Sequence, residues 1–89
     1  MAKDFLEELK EAINKNNAII GSKRTIKYLK TKELKMVILA SNCPENVKRD
    51  IKYYANMKGM EVKEFDGTGK QLGIFCGKAI SIATIGIKK

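Results

Sequence analysis

The run Met36-Val37-Ile38-Leu39-Ala40 is the stretch that most narrows what this chain can fold into. It has no polar member and no alternation, so a strand built from it needs apolar cover on both faces. Helices layered on either side of a sheet supply that cover. The sequence around the run holds matching units. Residues 4–16 carry Phe5, Leu6, Leu9, Ala12 and Ile13 at helical spacing, with Glu7, Glu8, Lys10, Glu11 and Lys15 on the other side, and Asn16-Asn17 as a stop. Ala18-Ile19-Ile20 then reads as a short buried strand ending in a tight turn at Gly21. Residues 22–32 form a cationic helical pattern that Ser22 can cap.

Beyond the central run, Ser41-Asn42-Cys43-Pro44-Glu45 is a second strand-to-helix turn. Pro44 suits a first helical turn, and Asn42 and Glu45 have the spacing of a capping box. Val47, Ile51, Tyr54 and Ala55 give the next helix its apolar stripe, and Gly59 closes it. Residues 60–65 alternate as a strand with one partly exposed face, residues 66–69 turn, residues 70–77 make a short helix weakened by Gly73, and residues 79–87 form an isoleucine-rich last strand. This α-β-α-β-α-β-α-β order predicts a mainly parallel sheet with helices on both faces. Ligands of such sheets sit beyond the carboxyl ends of the strands. Residues 21–24 and 41–44 both fall there, and they make one rim if their strands are neighbours. A third loop, residues 77–79, joins that rim only if the last strand runs antiparallel, a point these residues leave open.

Charge singles out the same region. The net charge is +8, and residues 21–40 contribute six basic side chains against one acidic, whereas residues 1–20 are slightly acidic. A polyanionic partner fits that sign. Lys23, Arg24 and Lys27 lie in the first turns of a helix, where cations oppose the macrodipole but join the free N–H groups in attracting an anion. A solvated basic helix face is the plainer reading of these three residues alone. Only Arg24 and Arg49 are arginines, so lysine point charges dominate any phosphate contacts.

Other chemistry finds little material. The chain has no histidine and two isolated cysteines, Cys43 and Cys76, which form no zinc set and read as buried thiols in preference to a disulfide. No metal or cofactor is expected, and the absence of the commonest general base weighs against an enzyme. Gly67-Thr68-Gly69-Lys70 fails as a phosphate loop, since Glu64 stands where a glycine is needed and Gln71 where a magnesium-binding hydroxyl is needed. Glu7, Glu8 and Glu11 sit among lysines as a solvated face. Tyr54 reads as core, Tyr53 as half exposed, and Ile80 and Ile82, two apart on the expected strand, share one face. Eighty-nine residues with 44% apolar content imply one domain over the whole chain. No apolar run nears the ~20 residues of a membrane span. The acidic amphipathic start is unlike a signal peptide, so an intracellular protein with no membrane partner is expected.

Three segments, IIGSKRTIKYLK, KMVILASNCPENVKRDIKYYANMKGMEVKEF and GTGKQLGIFCGK, together resemble the kink-turn RNA-binding family of ribosomal proteins. The resemblance covers most of residues 19–78. It implies a three-layer α/β/α sandwich with a central four-stranded mixed sheet, binding RNA that is sharply bent beside sheared G·A pairs. It puts Gly21, Lys23, Arg24 and Lys27 on the RNA at the first loop, with Ser22 in the same turn. Asn42 follows on the second loop, and Lys78, Ile80 and Ile82 on the third, while Lys70 stands outside the rim. It implies a cytoplasmic structural protein of the large ribosomal subunit, monomeric when free, with kink-turn rRNA and neighbouring ribosomal components as partners, and it permits binding of its own mRNA. Relatives of the box C/D type have Asn-Glu where this chain has Lys23-Arg24, which favours the ribosomal branch and leaves a kink-turn module of another ribonucleoprotein as the alternative on the same fold. Ile80 stands where some relatives have an aromatic. A small enzyme acting on a phosphorylated ligand is the rival from another class, and it would use the same strand-end rim.

Overall fold

The central run carries apolar cover on both faces. In a computed structural model, which describes residues 4–32 and 34–88, its first four residues lie in β2 (Leu34–Leu39) in the interior of a four-stranded sheet, and Ala40 follows directly. The side chain of Phe5 lies outside the described residues. Met36, Ile38 and Ala40 point into one apolar cluster, and Val37 and Leu39 into another. The first cluster is closed by α1 (Asp4–Asn14) and α4 (Gly69–Phe75) through Leu9, Ala12, Leu72 and Cys76. The second is closed by α2 (Ser22–Thr31) and α3 (Glu45–Lys58) through Leu29 and Ile51. Alternate side chains of one strand therefore serve two cores, which is why the run shows no alternation. The result is a three-layer α/β/α sandwich around a mixed sheet.

The strand order is β1 (Ala18–Ile20), β4 (Thr84–Lys88), β2, β3 (Glu61–Glu64). Only β2 and β3 pair in parallel, while β4 is antiparallel to both β1 and β2. The expectation of a mainly parallel sheet is corrected here, and so is the condition that the first two loops need neighbouring strands. The short connection after α4 returns the chain into the middle of the sheet, so β4 separates β1 from β2. Its direction settles the open point: the start of β4 lies at the same end as the carboxyl ends of β1 and β2.

The last strand is also shorter than its composition predicts. Residues 79–83 are loop, and only the segment from Thr84 is paired. Gly73 explains the departure. A Cβ there would stand 1.8 Å from the Ile80 carbonyl oxygen, so the missing side chain lets this loop lie on α4. The Ile82 N–H donates to the Gly69 carbonyl at 2.9 Å, which holds the loop on the helix and keeps it out of the sheet.

Candidate nucleic-acid interface

β1, β2 and β4 deliver three connections to one end of the sheet: residues 21–24, residues 41–44 and residues 77–83. They are joined by hydrogen bonds. The Gly21 N–H donates to the Thr84 carbonyl at 3.0 Å, and the Ala40 N–H donates to the Ala83 carbonyl at 2.9 Å. Ser22 Oγ lies 3.0 Å from Thr84 Oγ1, and Cys43 Sγ lies 3.7 Å from the same oxygen. Asn42 Oδ1 accepts from the Gly69 N–H at 2.8 Å, tying the second loop to the first turn of α4.

Two expected caps are thereby corrected. Gly21, not Ser22, occupies the N-cap of α2 and makes no side-chain cap bond; its φ of 113° suits a residue without Cβ. Pro44 occupies the N-cap of α3, and Asn42 Oδ1 accepts from the first turn of α4 and not from the helix that follows it in sequence. The Ser22 hydroxyl and the Asn42 side-chain oxygen both go to linking loops. α4 has instead a local capping box, with the Gln71 N–H donating to Thr68 Oγ1 at 3.3 Å and the Thr68 N–H donating to Gln71 Oε1 at 2.9 Å. Gln71, the residue that breaks the phosphate-loop pattern, is half of that box.

The side chains on this rim divide by exposure. Lys23, Arg24, Lys27, Asn42, Lys78 and Ile80 are exposed, while Gly21 and Ser22 are half-buried. Ile80 is 59% exposed, but Ile82 is 2% exposed and belongs to the α1/α4 core. The shared face expected for this pair is corrected, because the segment is a loop pinned to α4 and not a strand; Ile82 supports the loop from beneath. Arg24 and Lys27 line a groove with Tyr28 beside β1. Lys78 and Ile80 line a second concavity with Lys70 and Ile74. Lys70, expected outside the rim, is on it. The helix over residues 70–77 was readable, but that its Lys70 and Ile74 meet Lys78 and Ile80 depends on the loop of residues 77–83 folding back on α4, which no local pattern reports. Thr84 was missed too, since a hydroxyl inside an isoleucine-rich strand looks like β propensity alone.

Among the described residues, the ion pairs lie away from this rim: Lys15–Glu11 at 2.8 Å, Lys35–Glu8 at 3.1 Å and Lys63–Glu61 at 2.9 Å. The Lys15–Glu11 contact lowers the Glu11 pKa and raises that of Lys15, chiefly through their hydrogen bond. Cys43 and Cys76 are free, buried thiols. Burial pushes the Cys76 thiol up to about 11, against the opposing charge of Lys78. Among the described residues, no cluster of three or more His, Cys, Asp or Glu could hold a metal ion. No described helix is long and apolar enough to cross a membrane. What the rim offers is positive charge, one amide and an exposed aliphatic side chain on hydrogen-bonded loops.

Residues 3–89 match the model of the Ribosomal protein L7Ae/L30e/S12e/Gadd45 family. The chain belongs to this family. Its relatives within the L7Ae/L30e group include the large ribosomal subunit protein eL30 of Saccharolobus solfataricus, 43% identical over 93% of this chain and 77% of that protein. The same protein of Methanothermobacter thermautotrophicus is 41% identical over 92% of this chain and 84% of its own length. Both names are those of ribosomal proteins and neither is that of an enzyme. The L7Ae-type fold recurs in a 15.5 kDa RNA-binding protein of Giardia lamblia, with a TM-score of 0.80 at 17% identity over 96% of this chain and 71% of that one. A Bacillus halodurans protein of unknown function gives a TM-score of 0.83 at 22% identity, over 97% and 85% of the two chains.

Proposed function

We propose that this chain is a structural, cytoplasmic component of the large ribosomal subunit, working as a single domain that binds rRNA at a kink-turn through the rim. The observation that carries the reading is the convergence of the exposed Lys23, Arg24, Lys27, Asn42, Lys78 and Ile80 on three loops at one end of the sheet. A regular A-form helix hides its base edges in a deep, narrow groove, whereas a sharp bend opens them. Lys23 then donates to guanine acceptors, and the Asn42 Nδ2 amide remains available because its Oδ1 is taken by Gly69. Ile80 supplies aliphatic contact to an unstacked base. Arg24, Lys27, Lys70 and Lys78 neutralise phosphates crowded at the bend. Phosphate contacts set affinity and orientation, and the base contacts set preference for the bent RNA. The protein stabilises the bent state by binding it in preference to the straight one. Any RNA folding to the same bend competes for the rim, the chain's own mRNA included.

The test compares a kink-turn RNA with a fully paired RNA of equal length across a salt series. The expected result is a preference for the kinked RNA retained at high salt, with a log–log salt slope of about −3, the value for three or four phosphates neutralised. Equal affinity for both RNAs at every salt concentration would reject the proposal.

A further inference from the structure

We infer that Thr84 is a positioning residue for this interface: its buried hydroxyl sets the first and second loops relative to each other. The inference rests on the RNA-binding reading above. Thr84 and Thr25 are the buried polar residues among those described, both 0% exposed, and their hydroxyls are used differently. Thr25 Oγ1 donates to the Gly21 carbonyl at 2.7 Å and lies 3.5 Å from that of Ile19, both in the segment that leads directly into its own helix. Thr84 Oγ1 instead reaches two segments remote in sequence, Ser22 at 3.0 Å and Cys43 at 3.7 Å.

A hydroxyl has one proton to give and lone pairs to accept with. Whichever way the chain of bonds runs, Thr84 Oγ1 can donate to one loop and accept from the other, and the two bonds polarise one another. The backbone bonds from Gly21 to Thr84 and from Ala40 to Ala83 fix the ends of β1 and β2, but they stop short of the residues that face solvent. The Thr84 hydroxyl reaches one step further. Ser22 precedes Lys23, and Cys43 follows Asn42, so the atom that holds Ser22 and Cys43 governs the spacing between Lys23 on one loop and Asn42 on the other. Valine fills the same volume without the hydroxyl, so Thr84→Val keeps the packing and removes the link.

The experiment measures binding of wild type, Thr84→Val and Thr84→Ser to kinked and fully paired RNA at one salt concentration, alongside urea unfolding of each free protein. Thr84→Val should lose about three- to tenfold in affinity for the kinked RNA, the range one net hydrogen bond supports, and nothing on the paired RNA. Thr84→Ser should recover most of that loss. The double variant Ser22→Ala/Thr84→Val should lose no more than Thr84→Val alone if the two hydroxyls act as one unit. Kinked-RNA affinity of Thr84→Val equal to wild type overturns the inference, whatever happens to stability. An equal loss on both RNAs overturns it as well, because the effect is then not on loop spacing. A wild type with no preference between the RNAs sinks the RNA-binding reading, and this inference with it, before any variant is compared. Should Thr84→Val fail to fold, amide exchange in free Ser22→Ala decides: severalfold faster exchange at Gly21 than in wild type supports the link, and unchanged exchange overturns it.

Discussion

Replacing Gly73 by alanine sets two effects of opposite sign against each other in α4. By helix propensity alone the change gains about 1 kcal/mol, since glycine is the costlier residue in a helix interior. The structure opposes this. The new methyl would lie 1.8 Å from the carbonyl oxygen of Ile80 and 3.0 Å from its carbonyl carbon. Real contacts at such atoms begin near 3.0 Å, so helix and loop must separate by roughly 1 Å. The obstructing atom is backbone and cannot rotate aside as a side-chain tip would. Its segment is held on either side, by the Lys78 N–H donating to the Gly73 carbonyl at 2.9 Å and the Ile82 N–H donating to the Gly69 carbonyl at 2.9 Å. Overpacking of this kind costs about 1–3 kcal/mol, and losing either hydrogen bond adds about 1 kcal/mol. The clash wins, for a net destabilisation of about 1–3 kcal/mol. Urea unfolding reads this directly, and the melting temperature should fall by roughly 4–8 °C per kcal/mol in a domain of this size. The same separation displaces Ile80 and Lys78, so affinity for kinked RNA should drop while affinity for paired RNA holds. A Gly73→Ala protein as stable as wild type, or more so, would mean that the Ile80 carbonyl does not obstruct the new methyl.

Lys23→Ala should cost about 1–3 kcal/mol on kinked RNA and narrow the preference over paired RNA, as filter binding or calorimetry would show. Thr68→Ala removes half of the capping box and should lower stability by about 1 kcal/mol in urea unfolding, with RNA preference retained. The Cys76 thiol predicts a pH dependence. Its pKa is raised from 9.0 to about 11 in the folded protein, so the folded state holds the proton more tightly than the unfolded chain. That contribution is complete below pH 9 and is lost as pH rises towards 11, so the stability difference between wild type and Cys76→Ala should shrink across that interval. A constant difference there would contradict the assignment.

Much of this molecule was legible in its sequence because its strongest signals are local. The unbroken apolar run specified a strand with two covered faces, and the α1 stripe specified one covering helix. The Asn16 stop is present as a residue with φ of 62°, with the Asn17 N–H returning to the Ala12 carbonyl at 2.7 Å. Charge focused on residues 21–40 pointed to the first loop, whose cations are exposed as expected. What was not legible depends on contacts distant in sequence. Strand order is decided by where β4 inserts, and no local pattern reports that. Residues 79–83 have the composition of a strand but are held against α4 by two backbone approaches that only Gly69 and Gly73 permit. Ser22 and Asn42 look like local caps because their side chains commonly serve that way, yet each bonds a partner on another element. The surroundings of Lys70 and Thr84 were hidden for the same reason, being set by which loops meet and not by their neighbours in the chain.

On the proposed function, three loops at one end of the sheet form a single RNA-binding surface. The most direct test is an NMR titration of the free protein with kinked RNA, following every backbone amide. Large shifts should be confined to residues 21–27, 41–44 and 70–83, with small changes along the solvent face of α1 and at β3. Shifts spread evenly over lysine-bearing surfaces, or centred on the exposed Tyr53 and Met57 of α3, would contradict it.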